Sequence, residues 1–215
     1  MTSNTALQSS PQDKAVLDAA DVCAVQQLIL RERLARDLGL WEQMRDCYHE
    51  DSVVRLSWID AGGQEFVRRS KEMAARGLKA THRLGPILVT LGGDRAIAQL
   101  GAVIDIPAKV RGVAVTFSSH ARFIFRAERR AGTWRLSAFD SIYQRDNITP
   151  AIPGQVVKIE PEELRNFRPS YRLLSFCLMS GGFPVRHDLA GIDRPETVAA
   201  LTREIYDWAS LAPPR

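Results

Sequence analysis

The stretch that decides the fold is residues 96–126, which read AIAQLGAVIDIPAKVRGVAVTFSSHARFIFR. Apolar and polar residues tend to alternate on both sides of the Arg111-Gly112 pair. A period of two is typical of half-buried strands, and a short turn that contains glycine joins antiparallel neighbours. The sequence therefore predicts a long β-hairpin made of strands 96–110 and 113–126.

Two further strand-like runs flank this hairpin, at residues 82–91 and 133–145. The segments that separate them from it, Gly92-Gly93-Asp94 and Arg130-Ala131-Gly132, have turn-forming composition. Short connections of this kind predict an antiparallel meander.

The chain ahead of the meander has mostly helical spacing. Apolar residues recur every three or four positions over 21–37, and Gly39 is expected to end that helix. Helices at 41–48 and 64–78 enclose a strand at 52–58. Three helices followed by a curved antiparallel sheet predict an α+β domain with a pocket on its hollow side, spanning residues 21–148.

The two ends of the chain are expected to differ from this domain. Residues 1–20 are predicted to be a disordered or extended lead without signal-peptide character. Residues 149–215 are predicted to form a C-terminal helical extension, with helices at 161–180, interrupted at Pro169, and at 195–209. Asp193 is the expected N-cap of the last helix. The extension is expected to close the mouth of the domain or to clasp a neighbouring subunit.

Composition excludes several classes of protein. Of 215 residues, 45% are hydrophobic and 25% charged, and no apolar run is long enough to span a membrane. The 29 basic residues are scattered among acids, which argues against nucleic-acid binding, and their bias to arginine favours a bacterial source. Cys23, Cys47 and Cys177 lie far apart, as in a reduced cytoplasmic protein, and the first two are expected to be buried.

Four loosely spaced motifs indicate a family. They are an acid near the end of the first helix (Asp37), Trp41, His82 at a strand start, and the segment Gly132-Thr133-Trp134-Arg135. Over residues 20–148 the chain resembles the SnoaL-like group of the nuclear-transport-factor-like superfamily. That superfamily includes scytalone dehydratase, ketosteroid isomerase, lindane dehydrochlorinase and bile-acid 7-alpha-dehydratase. The resemblance implies a cone-shaped α+β barrel.

In the dehydratase-like members of this superfamily an acid and an imidazole together remove a proton from carbon, and Asp37 and His82 match their positions. The resemblance also assigns Asp105, in the third strand, as an assisting acid. A histidine has a suitable pKa for such a base, and a carboxylate fixes its tautomer. The tyrosines that assist the dehydratases have no counterpart here. His82 could instead cap its strand or form a buried polar contact with Asp37. Asp37 could be solvated or paired with Arg33 or Arg36, and Asp105 could be an edge residue.

The leading hypothesis is a cofactor-independent lyase or isomerase that needs no metal and acts on a hydrophobic cyclic substrate such as a polyketide, steroid or aromatic. Six aromatic residues are candidates for its binding site, although each could equally be plain core: Trp41, Trp58, Phe66, Phe117, Phe139 and Tyr143. His120 and Arg122 are expected on the opposite sheet face, which would hold a homo-oligomer (dimer or trimer) together.

Two alternatives remain open. The domain could be a non-catalytic ligand-binding protein or a structural subunit, as is the small subunit of ring-hydroxylating dioxygenases. It could also be an epoxide hydrolase, which would need Asp105, Arg122 and a further acid to converge on one water molecule.

Overall fold

The computed structural model describes residues 11–214, so the first half of the predicted lead lies outside the described part of the chain. The helices are α1 (Pro11–Leu38), α2 (Trp41–Asp46), α3 (Gly63–Ala75), α4 (Pro161–Leu164), α5 (Arg172–Ser180) and α6 (Pro195–Trp208), with a 3-10 turn at Pro169–Tyr171. The strands are β1 (Tyr48–Leu56), β2 (Ile59–Gly62), β3 (Thr81–Leu84), β4 (Leu88–Gly92), β5 (Arg95–Val110), β6 (Val113–Arg130) and β7 (Thr133–Pro150). The predicted α+β class is confirmed.

The first helix begins ten residues earlier than predicted. Residues 11–20 are helical and not an extended lead, and most of their described side chains are exposed. Alanine and the pair Lys14–Asp18, one turn apart with 2.8 Å between Nζ and Oδ2, favour a helix without help from packing. The prediction relied on apolar periodicity, which starts only where the helix reaches the body of the protein.

The long strands β5, β6 and β7 form the predicted antiparallel meander. Arg111 and Gly112 have φ angles of 48° and 83°, and Ala131 and Gly132 have 48° and 77°. Positive φ at both central residues gives turns whose twist matches that of the flanking strands. The two hairpins that were predicted from turn composition are therefore present.

The sheet order is β2-β1-β7-β6-β5-β3, with β4 also paired to β5. The prediction of an antiparallel sheet was wrong for one pair of strands, because β1 runs parallel to β7. Parallel neighbours need a long crossover, which α3 and strands β2 to β6 provide here. The predicted strand 82–91 is also split, since Pro86 between β3 and β4 has no N–H to donate to a neighbouring strand.

Two helix boundaries and one additional strand also differ from the prediction. α2 ends at Asp46, and Tyr48 opens β1 instead of closing the helix. β2 is an additional strand that forms a hairpin with β1. α3 ends at Ala75 and not at residue 78, shortly before Gly77 with its φ of 85°.

The sheet separates two hydrophobic clusters. On the inner face α1, α3 and α5 cover a large core that includes Phe125 and Leu136. On the outer face α6 packs Ile205 and Tyr206 against a smaller group that includes Ile124 and Ile142. The C-terminal extension thus contributes to both faces of the sheet.

Two expectations about single residues were wrong. Asp193 does not cap α6; its carboxylate accepts hydrogen bonds from Arg168 at 2.7 Å and from Ser170 at 2.5 Å, and Arg194 occupies the cap position. Cys23 is exposed, because α1 turns that side away from the core, whereas Cys47 is buried as expected. None of the helices in the described range has an apolar stretch that could cross a membrane.

Candidate active site

A cavity of about 420 Å³ lies on the inner side of the sheet. Its walls come from α1, α3, β3, the long strands β5 to β7, and α5, which follows the 3-10 turn. The apolar lining consists chiefly of Leu56, Trp58, Phe66, Met73, Ile104, Ile106, Phe117, Phe123, Phe139, Leu174 and Leu178. A space of this size and character suits a small apolar molecule.

The predicted pair of Asp37 and His82 meets beside this cavity. Asp37 ends α1 and His82 starts β3, and the Nδ1 and Oδ1 atoms are 2.5 Å apart. The second carboxylate oxygen accepts the backbone N–H of His82 at 2.7 Å. Both side chains are shielded, with 6% of His82 and 16% of Asp37 exposed. Two contacts between the same residues fix the orientation of the ring.

This geometry defines which nitrogen can act as a base. The Asp37 carboxylate accepts from Nδ1–H, so the lone pair that can accept a proton is on Nε2. Burial lowers the pKa of His82 below 6.5, against the opposing effect of Asp37, and the nearby positive charge of Arg33 lowers it further. Burial alone would raise the pKa of Asp37, but the hydrogen bonds from His82 lower it. At neutral pH the pair is therefore a carboxylate and a neutral imidazole.

Arg33 is a further charged residue at the site. Its Nη1 lies 3.3 Å from His82 Nε2, and its guanidinium lies over the Phe139 ring, 4.9 Å from the centroid. The rest of the guanidinium is paired with the buried carboxylate of Glu32, which also accepts the Tyr48 hydroxyl at 2.9 Å. Glu32 thus compensates the charge of Arg33 from behind the cavity wall.

Arg36 also lines the cavity and is 7% exposed. Its guanidinium lies 5.7 Å from the Trp41 ring centroid. No carboxylate of the described residues forms an ion pair with it. Burial, together with the charge of Arg33, lowers the pKa of Arg36 to about 10, so the side chain remains a cation at neutral pH.

The expected assistance from Asp105 is not supported by its position. Ile104 and Ile106 line the cavity, and strand alternation turns the Asp105 side chain between them to the other face. There it accepts hydrogen bonds from Arg83 and from Ser118, both at 2.6 Å, and Arg83 lowers the pKa of the carboxyl. Its charge has partners outside the site.

His120 and Arg122 are absent from the described lining, as predicted, and His120 Nε2 lies 3.2 Å from Asn147 Oδ1. Asp105 and Arg122 therefore do not converge in the cavity. The epoxide hydrolase alternative required both residues around one water molecule, and their positions do not support it. The oligomer that was expected through this face remains a prediction. α6 covers the part of the face around Ile97.

Five of the six aromatic candidates line the cavity: Trp58, Phe66, Phe117, Phe139 and Tyr143. Trp41 does not, and contributes only by packing near Arg36. Tyr143 is held in the fold, because its hydroxyl accepts the backbone N–H of Ser57 at 2.8 Å. Burial raises the pKa of Tyr143 to about 12.

One wall of the cavity comes from α5, in the extension that was expected to close the mouth of the domain or to clasp a neighbouring subunit. Phe176 and Cys177 of this helix line the cavity with Leu174 and Leu178. Asp146 of β7 accepts the backbone N–H of Leu174 at 2.8 Å, in the first turn of α5. A carboxylate at a helix N-terminus stabilises the helix and here fastens it to the sheet.

The sequence reasoning missed the charged residues of α1 as parts of the site. The apolar residues that recur over 21–37 include Val25, Leu28 and Ile29, and helical spacing continues this stripe through residues 32, 33 and 36. Three charged residues at positions that continue a buried apolar stripe could have indicated that this part of α1 belongs to the candidate site. No cluster of three or more potential metal-binding side chains occurs within residues 11–214.

Helices capping a curved sheet around an apolar cavity with an Asp–His pair define a cone fold of the nuclear-transport-factor type. Residues 18–140 match the family model of the SnoaL-like domain, which is more than half of the chain. The chain therefore belongs to the SnoaL-like domain family.

Relatives in sequence are fungal. The chain is 26% identical over 180 residues to Pea pathogenicity protein 2 of Fusarium vanettenii, covering 80% of this chain and 77% of that protein. It is also 26% identical over 195 residues to an uncharacterized protein of Emericella nidulans, covering 86% and 81%. These relatives give no support to the expected bacterial source.

Solved structures share the fold at low sequence identity. The hexachlorocyclohexane dehydrochlorinase LinA-type3 of Novosphingobium barchaimii superposes with a TM-score of 0.54 at 17% identity, covering 67% of this chain and 97% of that one. A putative scytalone dehydratase of Novosphingobium aromaticivorans gives 0.52 at 13% identity, covering 66% and 95%. An NTF2-like protein with a cystatin-like fold from Novosphingobium aromaticivorans gives 0.52 at 21% identity, covering 62% and 90%.

Proposed function

We propose that the protein is a cofactor-independent lyase or isomerase in which His82 removes a proton from a carbon atom of a hydrophobic cyclic substrate. The observation that supports this most strongly is the Asp37–His82 pair, with a 2.5 Å contact at Nδ1, at the wall of an apolar cavity. Family membership and the dehydratase and dehydrochlorinase among the structural neighbours agree with this class of reaction.

The step uses only His82, Asp37 and Arg33. Nε2 of His82 accepts the proton. In an elimination the C–H bonding electrons form a double bond while the leaving group departs with its own bonding pair, and a departing hydroxyl takes the proton back from the imidazolium to leave as water. In an isomerisation the same electrons form an enolate, and the imidazolium returns the proton to another carbon atom. Asp37 stabilises the imidazolium that results. The Arg33 guanidinium, 3.3 Å from Nε2, is placed to stabilise negative charge that develops on the substrate. Apolar walls exclude water and strengthen both effects.

The test is a panel of cyclic carbon acids, including hydroxylated polyketide-like and ketosteroid-like compounds, assayed with the native protein and variants. On any compound that is turned over, His82→Ala is expected to lower kcat/KM by about 10²- to 10⁴-fold. His120→Ala removes the same residue type from the outer face and should leave the rate unchanged. Equal turnover by the native protein and His82→Ala would refute the mechanism.

A non-catalytic binding protein is the second candidate, because one observation favours it. Arg33 Nη1 already lies at hydrogen-bonding distance from the lone pair that the base would need. In this alternative His82 and Arg33 form a polar wall that recognises a ligand. Native protein would then bind compounds that it does not convert, and His82→Ala would bind the same compounds more weakly.

A further inference from the structure

Arg36 differs from every other buried charge around the cavity in having no acceptor. Glu32 compensates Arg33, and Asp37 and His82 satisfy each other. Arg36 is nearly as buried and lies over the face of Trp41. It feels the negative charges of Asp37 and Glu32, yet within the described residues its guanidinium donates no hydrogen bond and forms no ion pair. A buried guanidinium without an acceptor is costly, and a protein keeps one where a ligand supplies the missing oxygen atoms.

The charge of the lining points in the same direction. Every formally charged side chain along the described lining is cationic, namely Arg33, Arg36, Lys109 and Arg111. Arg111 is paired outside with Glu163, and Lys109 is exposed at the end of β5. An anionic ligand is therefore attracted at Lys109 and meets, at Arg36, a largely buried guanidinium whose hydrogen-bond donors have no acceptor among the described residues.

We infer that Arg36 is a binding residue for a carboxylate, and that the substrates of this protein are hydrophobic acids. The planar guanidinium of arginine matches a carboxylate in a bidentate arrangement, and the contact is strong where water is excluded. The apolar walls would hold the ring system while Arg36 fixes the acid group. This inference adds a substrate class to the proposed function. The acids are substrates only if the protein carries out the proposed reaction, whereas their binding by Arg36 does not depend on catalysis.

The experiment compares matched ligands that differ only in charge. Binding of 2-naphthoate and 2-naphthamide is measured by titration calorimetry at about pH 7.5 with native protein, Arg36→Leu, Arg36→Lys and Arg122→Leu. Native protein should bind the acid about tenfold more tightly than the amide, as expected for one desolvated charged pair. Arg36→Leu should abolish this preference, and Arg36→Lys should retain part of it. Arg122→Leu, which removes an arginine from the outer face, should keep it.

Two results would overturn the inference. One is equal affinity of the native protein for acid and amide, including failure to bind either. The other is an acid preference that survives in Arg36→Leu. Thermal unfolding of Arg36→Leu provides the folding check, and we expect no large loss of Tm because a buried charge without a hydrogen-bond acceptor is replaced by an apolar side chain.

The proposed reaction is tested separately by His82→Ala. If that variant binds naphthoate normally, the Arg36 inference stands whether or not His82 proves to be a base. If the acid preference is absent while His82→Ala abolishes turnover of another substrate, the inference fails and the proposed function stands.

Discussion

The two faces of the sheet treat buried charge differently. On the outer face Asp140 accepts hydrogen bonds from Arg55 at 2.7 Å and Arg126 at 3.2 Å, and Glu204 of α6 pairs with the same two arginines. Each charged group in this outer network has an opposite charge in contact. On the inner face Arg36 is influenced by Asp37 and Glu32 but forms no ion pair within the described residues, and the base nitrogen of His82 faces a cation.

We interpret this difference as a division between charge that maintains the fold and charge that, under the proposals above, serves a ligand. The outer network fastens α6 to β1, β6 and β7, and its members have no access to the cavity. The inner residues lie on α1 and β3, at the edge of an apolar cavity. A charged group without a hydrogen-bond partner there costs stability unless a bound ligand supplies the partner. Mutations on the two faces should therefore affect different properties.

The largest expected effect on stability is at the centre of the outer network. Asp140→Asn removes the buried carboxylate that Arg55 and Arg126 share and leaves both arginines with Glu204 alone, and we expect a loss of about 3 kcal/mol in the free energy of unfolding. Urea unfolding measures this. Glu204→Gln, at the half-exposed end of the network, should cost less than about 1 kcal/mol. Similar losses in the two variants would contradict the comparison.

A smaller effect is expected for a hydroxyl on the inner face that serves the fold. Tyr143→Phe leaves the buried N–H of Ser57 without its acceptor, which should cost about 1–2 kcal/mol. Tyr206→Phe on the outer face removes only a 3.2 Å bond from Gln99 and should cost less. A Tyr143→Phe variant as stable as the native protein would show that this hydroxyl is not structural.

The smallest effect concerns the attachment of α5 and depends on pH. Burial raises the pKa of Asp146 to about 6, against the hydrogen bonds from the α5 backbone. The native state then binds more protons than the unfolded state between about pH 4 and 6, so this group lowers stability as the pH rises through that window. Other groups titrate too, so the quantity to measure is the difference in unfolding free energy between native protein and Asp146→Asn.

That difference should shift by about 1 kcal/mol or more from pH 4 to pH 7, in favour of the asparagine variant at the higher pH. A constant difference across this range would show that the Asp146 carboxyl is not buried against α5 in solution.

Much of the fold was predictable, because the signals that define it are local. Alternation and turn composition gave the hairpins of β5, β6 and β7. The parallel pairing of β1 with β7 was not predictable, since it joins segments about 85 residues apart with no turn between them. The helical structure of residues 11–20 was not predicted, because an exposed helix segment needs no apolar stripe.

The site was predictable where a motif existed and was missed elsewhere. Asp37 and His82 were found through a family pattern, and the structure brings them together. Asp105 was misplaced because strand phase decides which face a side chain occupies, and its neighbours Ile104 and Ile106 take the inner face. Arg36 was considered only as a partner for Asp37, since burial without an acceptor becomes visible only in three dimensions.

The most direct test of the central claim is the protonation state of His82. Nitrogen-15 spectra of histidine-labelled protein, assigned with His82→Ala, distinguish the two neutral tautomers and the imidazolium. The account predicts a neutral ring at about pH 7, with the proton on Nδ1 and Nε2 bare, that titrates below 6.5. A protonated ring at neutral pH, or a proton on Nε2, would contradict it.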